Sequence, residues 1–230
     1  MLTFPHFEPH FERRHWTLPH VLEHQARQHP DRPFLSWTDA GRPWSFSEVN
    51  THVNRLAHGL AAFGVRKHDH VCILLPNCLE FVFTWFALNK LGAVEVAISD
   101  AYKGSFLAHP LKLSASRILV TTPSLAARLI DIEDEIPIEH LIVLDEPGEE
   151  PAADLPATHT PPAVTTPQDP AAVLLTSGTT GPSKGVVMPH SQFYFFAEED
   201  VQLMRLTQDD VYMTGFPLFH GNAQFLPVYP

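Results

Sequence analysis

The chain has 230 residues, 44% of them hydrophobic, enough apolar material for one large domain or two small ones. Its formal net charge is −11 with no basic block to offset it, so nucleic acid is a poor partner. Two cysteines, Cys72 and Cys78, form neither a disulfide framework nor a C-x-x-C, no basic-then-apolar leader opens the chain, and the longest apolar stretch, near Phe81 to Leu88, is too short to span a bilayer; a cytoplasmic protein fits best.

Residues 1–15 read as an irregular arm rich in Phe, His and Pro. His6/His10 and His20/His24 are each four apart, a spacing that on a helix puts two metal ligands on one face. With no cysteine beside them, both pairs read as a solvated face. Thr17 can cap a helix that begins at Leu18-Pro19, since proline is tolerated in a first turn. Val21, Leu22, Gln25, Ala26 and His29 share one side of it, and Pro30 and Pro33 close it. Phe34 to Trp37 predicts a short strand, with Asp39-Ala40-Gly41 as its turn. Ser45-Phe46-Ser47-Glu48 opens the next helix, Val49, Val53, Leu56 and Leu60 follow at helical spacing, and Gly64 ends it.

His70 to Leu75 is a buried strand stopped by Pro76-Asn77. Asn77 is expected to cap a helix carrying Phe81, Val82, Phe83, Trp85, Phe86 and Leu88, which is apolar on most sides and therefore well buried. Gly92 ends that helix, and Ala93 to Ala97 is another strand. Ser105 to Leu113 has helical composition, but Pro110 inside it should kink or shorten it. Arg117 to Thr121 predicts a strand, Ser124 to Ile130 a helix, and Leu141 to Leu144 a strand. Residues 147–170, rich in Pro, Ala, Thr and acids, read as an exposed loop. Ala171 to Leu175 is a buried strand, Ser191 to Leu206 a helix, and Val211 to Thr214 a strand entered through Asp209-Asp210. Strands alternating with helices predict an α/β fold, a largely parallel sheet covered by helices on both faces.

The stretch that carries chemistry follows the Ala171–Leu175 run: Thr176-Ser177-Gly178-Thr179-Thr180-Gly181-Pro182-Ser183-Lys184-Gly185. Gly178 and Gly181 let the backbone turn sharply and bring amides close to a ligand. Hydroxyls of Thr176, Ser177, Thr179 and Thr180 add donors, and Lys184 adds a compact positive charge. Such a density of donors suits a polyanion such as a triphosphate; the competing reading is a Ser/Thr/Gly-rich surface turn. A Walker loop is excluded, because G-x-x-x-x-G-K-[ST] would need glycine where Ser183 stands and a hydroxyl where Gly185 stands.

This stretch resembles, without interruption, the signature loop of the adenylate-forming superfamily, which includes acyl-CoA synthetases, luciferases and the adenylation domains of peptide synthetases. Trp44-Ser45-Phe46-Ser47-Glu48-Val49 is similar to a segment of acyl-CoA synthetases. Ser99-Asp100-Ala101-Tyr102-Lys103-Gly104, with Leu107 and His109, is similar to N-x-A-Y-(K/R)-G-x-x-L-x-H of some CoA ligases, with Ser99 where that pattern has Asn. Pro217-Leu218-Phe219-His220-Gly221-Asn222-Ala223 resembles a second signature of the superfamily. A lone His after an aromatic is more often a satisfied core residue; its place downstream of the loop, in the family's order, favours a role in the site.

The resemblance runs from Trp16 to the last residue and implies that residues 16–230 are the N-terminal portion of an adenylation domain. It implies an acid–CoA ligase that forms an acyl-adenylate from ATP and a carboxylic acid and then an acyl-CoA thioester, with Mg²⁺ at the triphosphate and CoA as co-substrate. Thr176, Ser177, Gly178, Thr179, Thr180, Gly181 and Lys184 would hold the phosphates, Thr176 would also face the metal, and His220 would stand at the acyl and α-phosphate site. Family members continue through a Tyr-Gly-x-Thr-Glu segment, a ribose-gripping Asp and a mobile C-terminal domain with a catalytic Lys. This chain alone is therefore expected to have little activity and to associate through surface that the rest would cover. A non-catalytic nucleotide- or partner-binding remnant, and an adenylation domain serving a carrier protein, are the alternatives.

Overall fold

The computed structural model describes residues 8–37, 41–144, 165–176 and 183–225. A 3-10 turn, Arg13–His15, leads into α1 (Leu18–Gln28), whose Thr17 cap accepts a hydrogen bond from the His20 amide. β1 (Pro33–Leu35) pairs antiparallel with β2 (Trp44–Ser45). Ser45 also opens α2 (Phe46–Phe63) through a reciprocal cap: its hydroxyl accepts from the Glu48 amide, and the Glu48 carboxylate accepts from the Ser45 amide. Gly64 ends α2 at φ 115°, a left-handed conformation that suits a residue without Cβ.

Then follow β3 (His70–Leu74), α3 (Leu79–Lys90), β4 (Val94–Ala97), α4 (Ser105–Ser114), β5 (Ile118–Thr121) and the short α5 (Pro123–Ala126), which passes into a 3-10 helix, Ala127–Glu135. The rest is β6 (His140–Val143), β7 (Pro170–Thr176), β8 (Lys184–Pro189), α6 (His190–Met204) and α7 (Gly221–Phe225). The main sheet has the order β6-β5-β3-β4-β7-β8. Its pairs are parallel except β7–β8, which is antiparallel. β4 and β5 lie on opposite sides of β3, so the chain changes direction there. In open α/β sheets a crevice forms outside the carboxyl ends of the strands at such a switch point.

Strand alternation sends side chains to two cores. Val71 and Ile73 of β3 pack with α1, α2, α3 and α6, whereas Cys72 and Leu74 face Leu107 and Leu111 of α4 and Leu129 and Ile132 of the 3-10 helix. α3 runs between sheet and helices with every residue but the half-buried Glu80 buried, including Phe81, Phe83, Trp85 and Phe86. Each such side chain contributes roughly 1.5–3 kcal/mol relative to exposure. α3 also buries Lys90 completely, and its ammonium donates to Glu23 at 2.9 Å and Asn50 at 2.8 Å. Burial pulls the Lys90 pKa down, and Glu23 opposes that pull.

Several expectations are corrected. Asn77 does not cap α3; the cap residue is Cys78, without a side-chain bond, and the Asn77 amide is engaged elsewhere. α4 continues through Pro110, whose neighbours Leu107, Ala108 and Leu111 are all buried, so packing outweighs one missing backbone donor. The helix expected over 124–130 is a single α turn and then a 3-10 helix, in which Leu129 and Ile132, three apart, both reach the sheet. Residues 211–214 form no strand: no backbone ladder meets them among the described residues, and Val211 and Met213 are exposed. β2 and β8 are strands that the sequence reading lacks. His20 and His24 pack their rings edge-on to Phe11, and His10 bonds to Glu198 at 2.6 Å, so the described histidines of the two spaced pairs serve the docking of the arm. Of the 147–170 loop, residues 147–164 lie outside the described residues, and so does the turn expected at Asp39-Ala40.

Candidate active site

β7 is buried at Ala171, Ala172 and Val173 and exposed by Thr176, so the strand carries the chain from the core to the carboxyl edge of the sheet. Ser177, Gly178, Thr179, Thr180 and Gly181 lie outside the described residues. Ser183 and Lys184 bring the chain back into β8. Thr176 and Lys184 are direct partners across the β7–β8 ladder, and the Thr176 hydroxyl donates to the Lys184 carbonyl at 3.3 Å. The base of the predicted phosphate loop is thus closed by strand pairing.

Beside it lies a cleft of about 460 Å³. One wall is the end of β7 with Val186 and Met188 of β8; another is Ala97, Ser99 and Tyr102, where β4 leaves the sheet; α6 adds Gln192 and Phe196, the turn before α7 adds Phe219 and His220, and α7 adds Asn222. Thr176 and His220 therefore face one cleft. Lys184 is exposed and is not part of the lining. It does share a pleat face with Val186 and Met188, because side chains two and four apart on a strand point the same way. The lining is mostly apolar, with Thr176, Ser99, Tyr102, Gln192, Asn222 and His220 as its polar groups.

His220 sits in a tight turn: its amide donates to the Pro217 carbonyl and its carbonyl accepts from the Ala223 amide, both at 2.9 Å. The Asn222 amide donates to His220 Nδ1 at 3.3 Å. An accepting Nδ1 leaves the proton of a neutral ring on Nε2, free to donate outward.

Three residues near the cleft have functions that the sequence did not reveal. Asn77 grips the backbone on both sides of Pro217: its amide group donates to the Phe216 carbonyl at 3.0 Å and its oxygen accepts from the Leu218 amide at 2.7 Å. His109 Nε2 donates to the Ser183 carbonyl at 2.9 Å, holding the downstream end of the predicted phosphate loop against α4. Glu95, on β4 beneath the cleft, is fully buried, and burial pushes its pKa up to about 8. The Ser99-to-His109 pattern was visible in the sequence; that its first and last positions meet the cleft and the loop base was not.

A mostly parallel sheet with a cleft at the carboxyl ends of β4 and β7, bounded by this strand-paired loop base and a His-bearing turn, is the architecture of adenylate-forming enzymes. The chain is similar to a long-chain-fatty-acid-CoA ligase from Archaeoglobus fulgidus, with a TM-score of 0.82 and 25% identity over 98% of this chain and 47% of that one. In fold it is also similar to the anthranilate CoA ligase AuaEII in complex with anthranoyl-AMP, with a TM-score of 0.82 and 24% identity over 95% of this chain and 44% of that one. The chain belongs to the AMP-binding enzyme family, which it matches over residues 22–230. Its curated relatives include crotonobetaine/carnitine–CoA ligase of Salmonella paratyphi B, 34% identical over 204 residues, which are 82% of this chain and 39% of the relative. The counterpart of Salmonella typhimurium is 34% identical over 205 residues. The chain spans about two fifths of the length of these relatives. No helix among the described residues is long and apolar enough to cross a membrane.

Proposed function

We propose that these residues serve an ATP-dependent carboxylic acid–CoA ligase. In the first half-reaction a carboxylate oxygen attacks the α-phosphorus of ATP and pyrophosphate leaves. In the second, the CoA thiol attacks the acyl carbon, its proton is lost, and AMP leaves. The observation that carries the reading is the meeting of Thr176 and His220 on one mostly apolar cleft, with Lys184 on the same pleat face. An apolar lining suits an acyl group. The outward Nε2–H of His220 suits a carboxylate or phosphate oxygen.

Ser177, Gly178, Thr179, Thr180 and Gly181 would supply amides and hydroxyls to the β- and γ-phosphates, and Lys184 a point charge. Mg²⁺ takes few protein ligands and completes its shell with water and phosphate oxygens, so the exposed Thr176 hydroxyl fits as one ligand; the ion would neutralise phosphate charge. Residues 16–230 are read as one portion of an adenylation domain with residues 1–15 as an arm, supported by the larger of the two cores, which draws its residues from Leu18 to Ala223. Two free, buried cysteines suit a reducing compartment such as the cytoplasm.

Titration with a fluorescent ATP analogue tests the nucleotide half. Saturable binding, displaced by ATP, is expected, and Lys184→Ala should weaken it about tenfold, the loss of one charge-assisted contact of roughly 1.4 kcal/mol. Absence of binding, or equal affinity in the variant, overturns the reading. Pyrophosphate exchange with a panel of carboxylic acids reports the first half-reaction. Slow exchange is expected from this chain, because the described lining of the cleft carries no cation to stabilise the α-phosphoryl transition state.

A further inference from the structure

The backbone of Leu218, two residues before His220, is held from both sides. Its amide donates to Asn77, and its carbonyl accepts from Gln224 Nε2 at 2.9 Å. The second N–H of that same Gln224 nitrogen donates to Glu95 Oε1 at 2.6 Å. Glu95 lies on β4 two residues before Ala97 and four before Ser99, on the pleat face that lines the cleft, but deeper. Glu95 and Gln224 are both fully buried. The pair joins a central strand to the turn that carries His220, across 129 positions of sequence.

As a device for stability alone the arrangement is poor. Glu95 Oε2 and Gln224 Oε1 have no hydrogen-bond partner among the described residues. Each buried polar atom left so is unfavourable, and an apolar pair of similar volume would avoid that. What the polar pair provides, and an apolar pair would not, is direction: two N–H bonds from one nitrogen set the distance and orientation of the turn relative to β4.

We propose that Glu95 and Gln224 are positioning residues, which hold the Pro217–Ala223 turn on β4 from beneath the cleft and so set where His220 stands. The inference rests on the reading of His220 as a site residue. Burial keeps Glu95 protonated at neutral pH, with a pKa of about 8. Its neighbours across the ladder are Val71 on β3 and Ala172 on β7, Gln224 faces it from α7, and no charged group acts on it. Ionisation therefore places an uncompensated charge under the turn.

NMR of the chain with labelled histidine rings and backbone amides, recorded without nucleotide, tests this. In the unmodified chain the His220 ring and the Leu218 amide should move together in a transition centred near pH 8. Glu95→Gln, neutral at every pH, should remove that shared transition from both signals. Gln224→Leu should move the His220 ring signal at every pH. Persistence of the transition in Glu95→Gln, or an unmoved ring signal in a folded Gln224→Leu, overturns the proposal; should Gln224→Leu not fold, Glu95→Gln decides alone. Failure of ATP titration with these results intact would count against the ligase reading and leave the positioning role standing.

Discussion

At the scale of single residues, the loop base depends on a glycine for a reason that phosphate binding does not supply. A Cβ added to Gly185 would lie 2.8 Å from Val173 Cγ1, a branched side chain packed in the second core. Neither partner can yield cheaply, since Val173 is stiff at χ1 and β8 is held by its ladder to β7. Gly185→Ala is therefore expected to push β8 off β7, to cost about 1–3 kcal/mol in urea unfolding, and to weaken nucleotide binding by displacing Lys184. Unchanged stability would show that the strand shifts freely. Gly221, beside His220, is similarly placed, 2.8 Å from the Phe225 ring and 3.1 Å from Leu174 if given a Cβ. Glycines here keep cleft walls close as well as freeing backbone.

At the scale of elements, α3 is the most buried helix and carries a fully buried charge, Lys90. Glu23→Ala removes a carboxylate that Lys90 faces across α1 and α3, and leaves a fully buried ammonium short of its counter-ion. A loss of about 3–5 kcal/mol is expected, read as a lower urea midpoint at unchanged slope, whereas Glu23→Gln should lose less because a hydrogen-bond acceptor remains. Equal midpoints for all three chains would refute it. Elements that signal themselves locally were legible in the sequence: α1 and α2 through Thr17, Ser45, Glu48 and Gly64, and β3, β4, β5 and β7 through short apolar runs. Elements defined by a partner were not. β2 has two residues, β8 shows only as Val186-Val187-Met188, and the strand expected at Val211 to Thr214 met no ladder among the described residues. The same holds at the site. Thr176, Lys184 and His220 were named from contiguous motifs, whereas the walls from α6 and β4 and the hold of Asn77 on Pro217 arise only when distant segments fold together.

For the whole molecule, two buried groups tie stability to pH in opposite directions. Burial lowers the His190 pKa from 6.5 to about 4, so between those values the unfolded chain binds a proton that the folded chain does not, and stability falls as pH drops. Burial raises Glu95 from 4.5 to about 8, so there the folded chain keeps the proton and stability falls as pH climbs. The two slopes oppose each other from about pH 4.5 to 6.5; above 6.5 Glu95 is the one of the pair that still titrates. Its contribution should decline by about 1.4 kcal/mol per pH unit, roughly 2 kcal/mol between pH 6.5 and 8. Denaturant unfolding of the unmodified chain and of Glu95→Gln at stepped pH isolates this term; parallel curves would exclude it. The antiparallel β7–β8 pair carries a further consequence. Because Lys184 lies opposite Thr176 in a pleated ladder, its side of the sheet is a matter of odd and even. One residue inserted after Lys184 would swing the ammonium to the far side, and two would return it about 7 Å farther out. A lysine displaced by a single place, though still present in the motif, would leave the face it shares with Thr176, and with it the role proposed for it at the nucleotide.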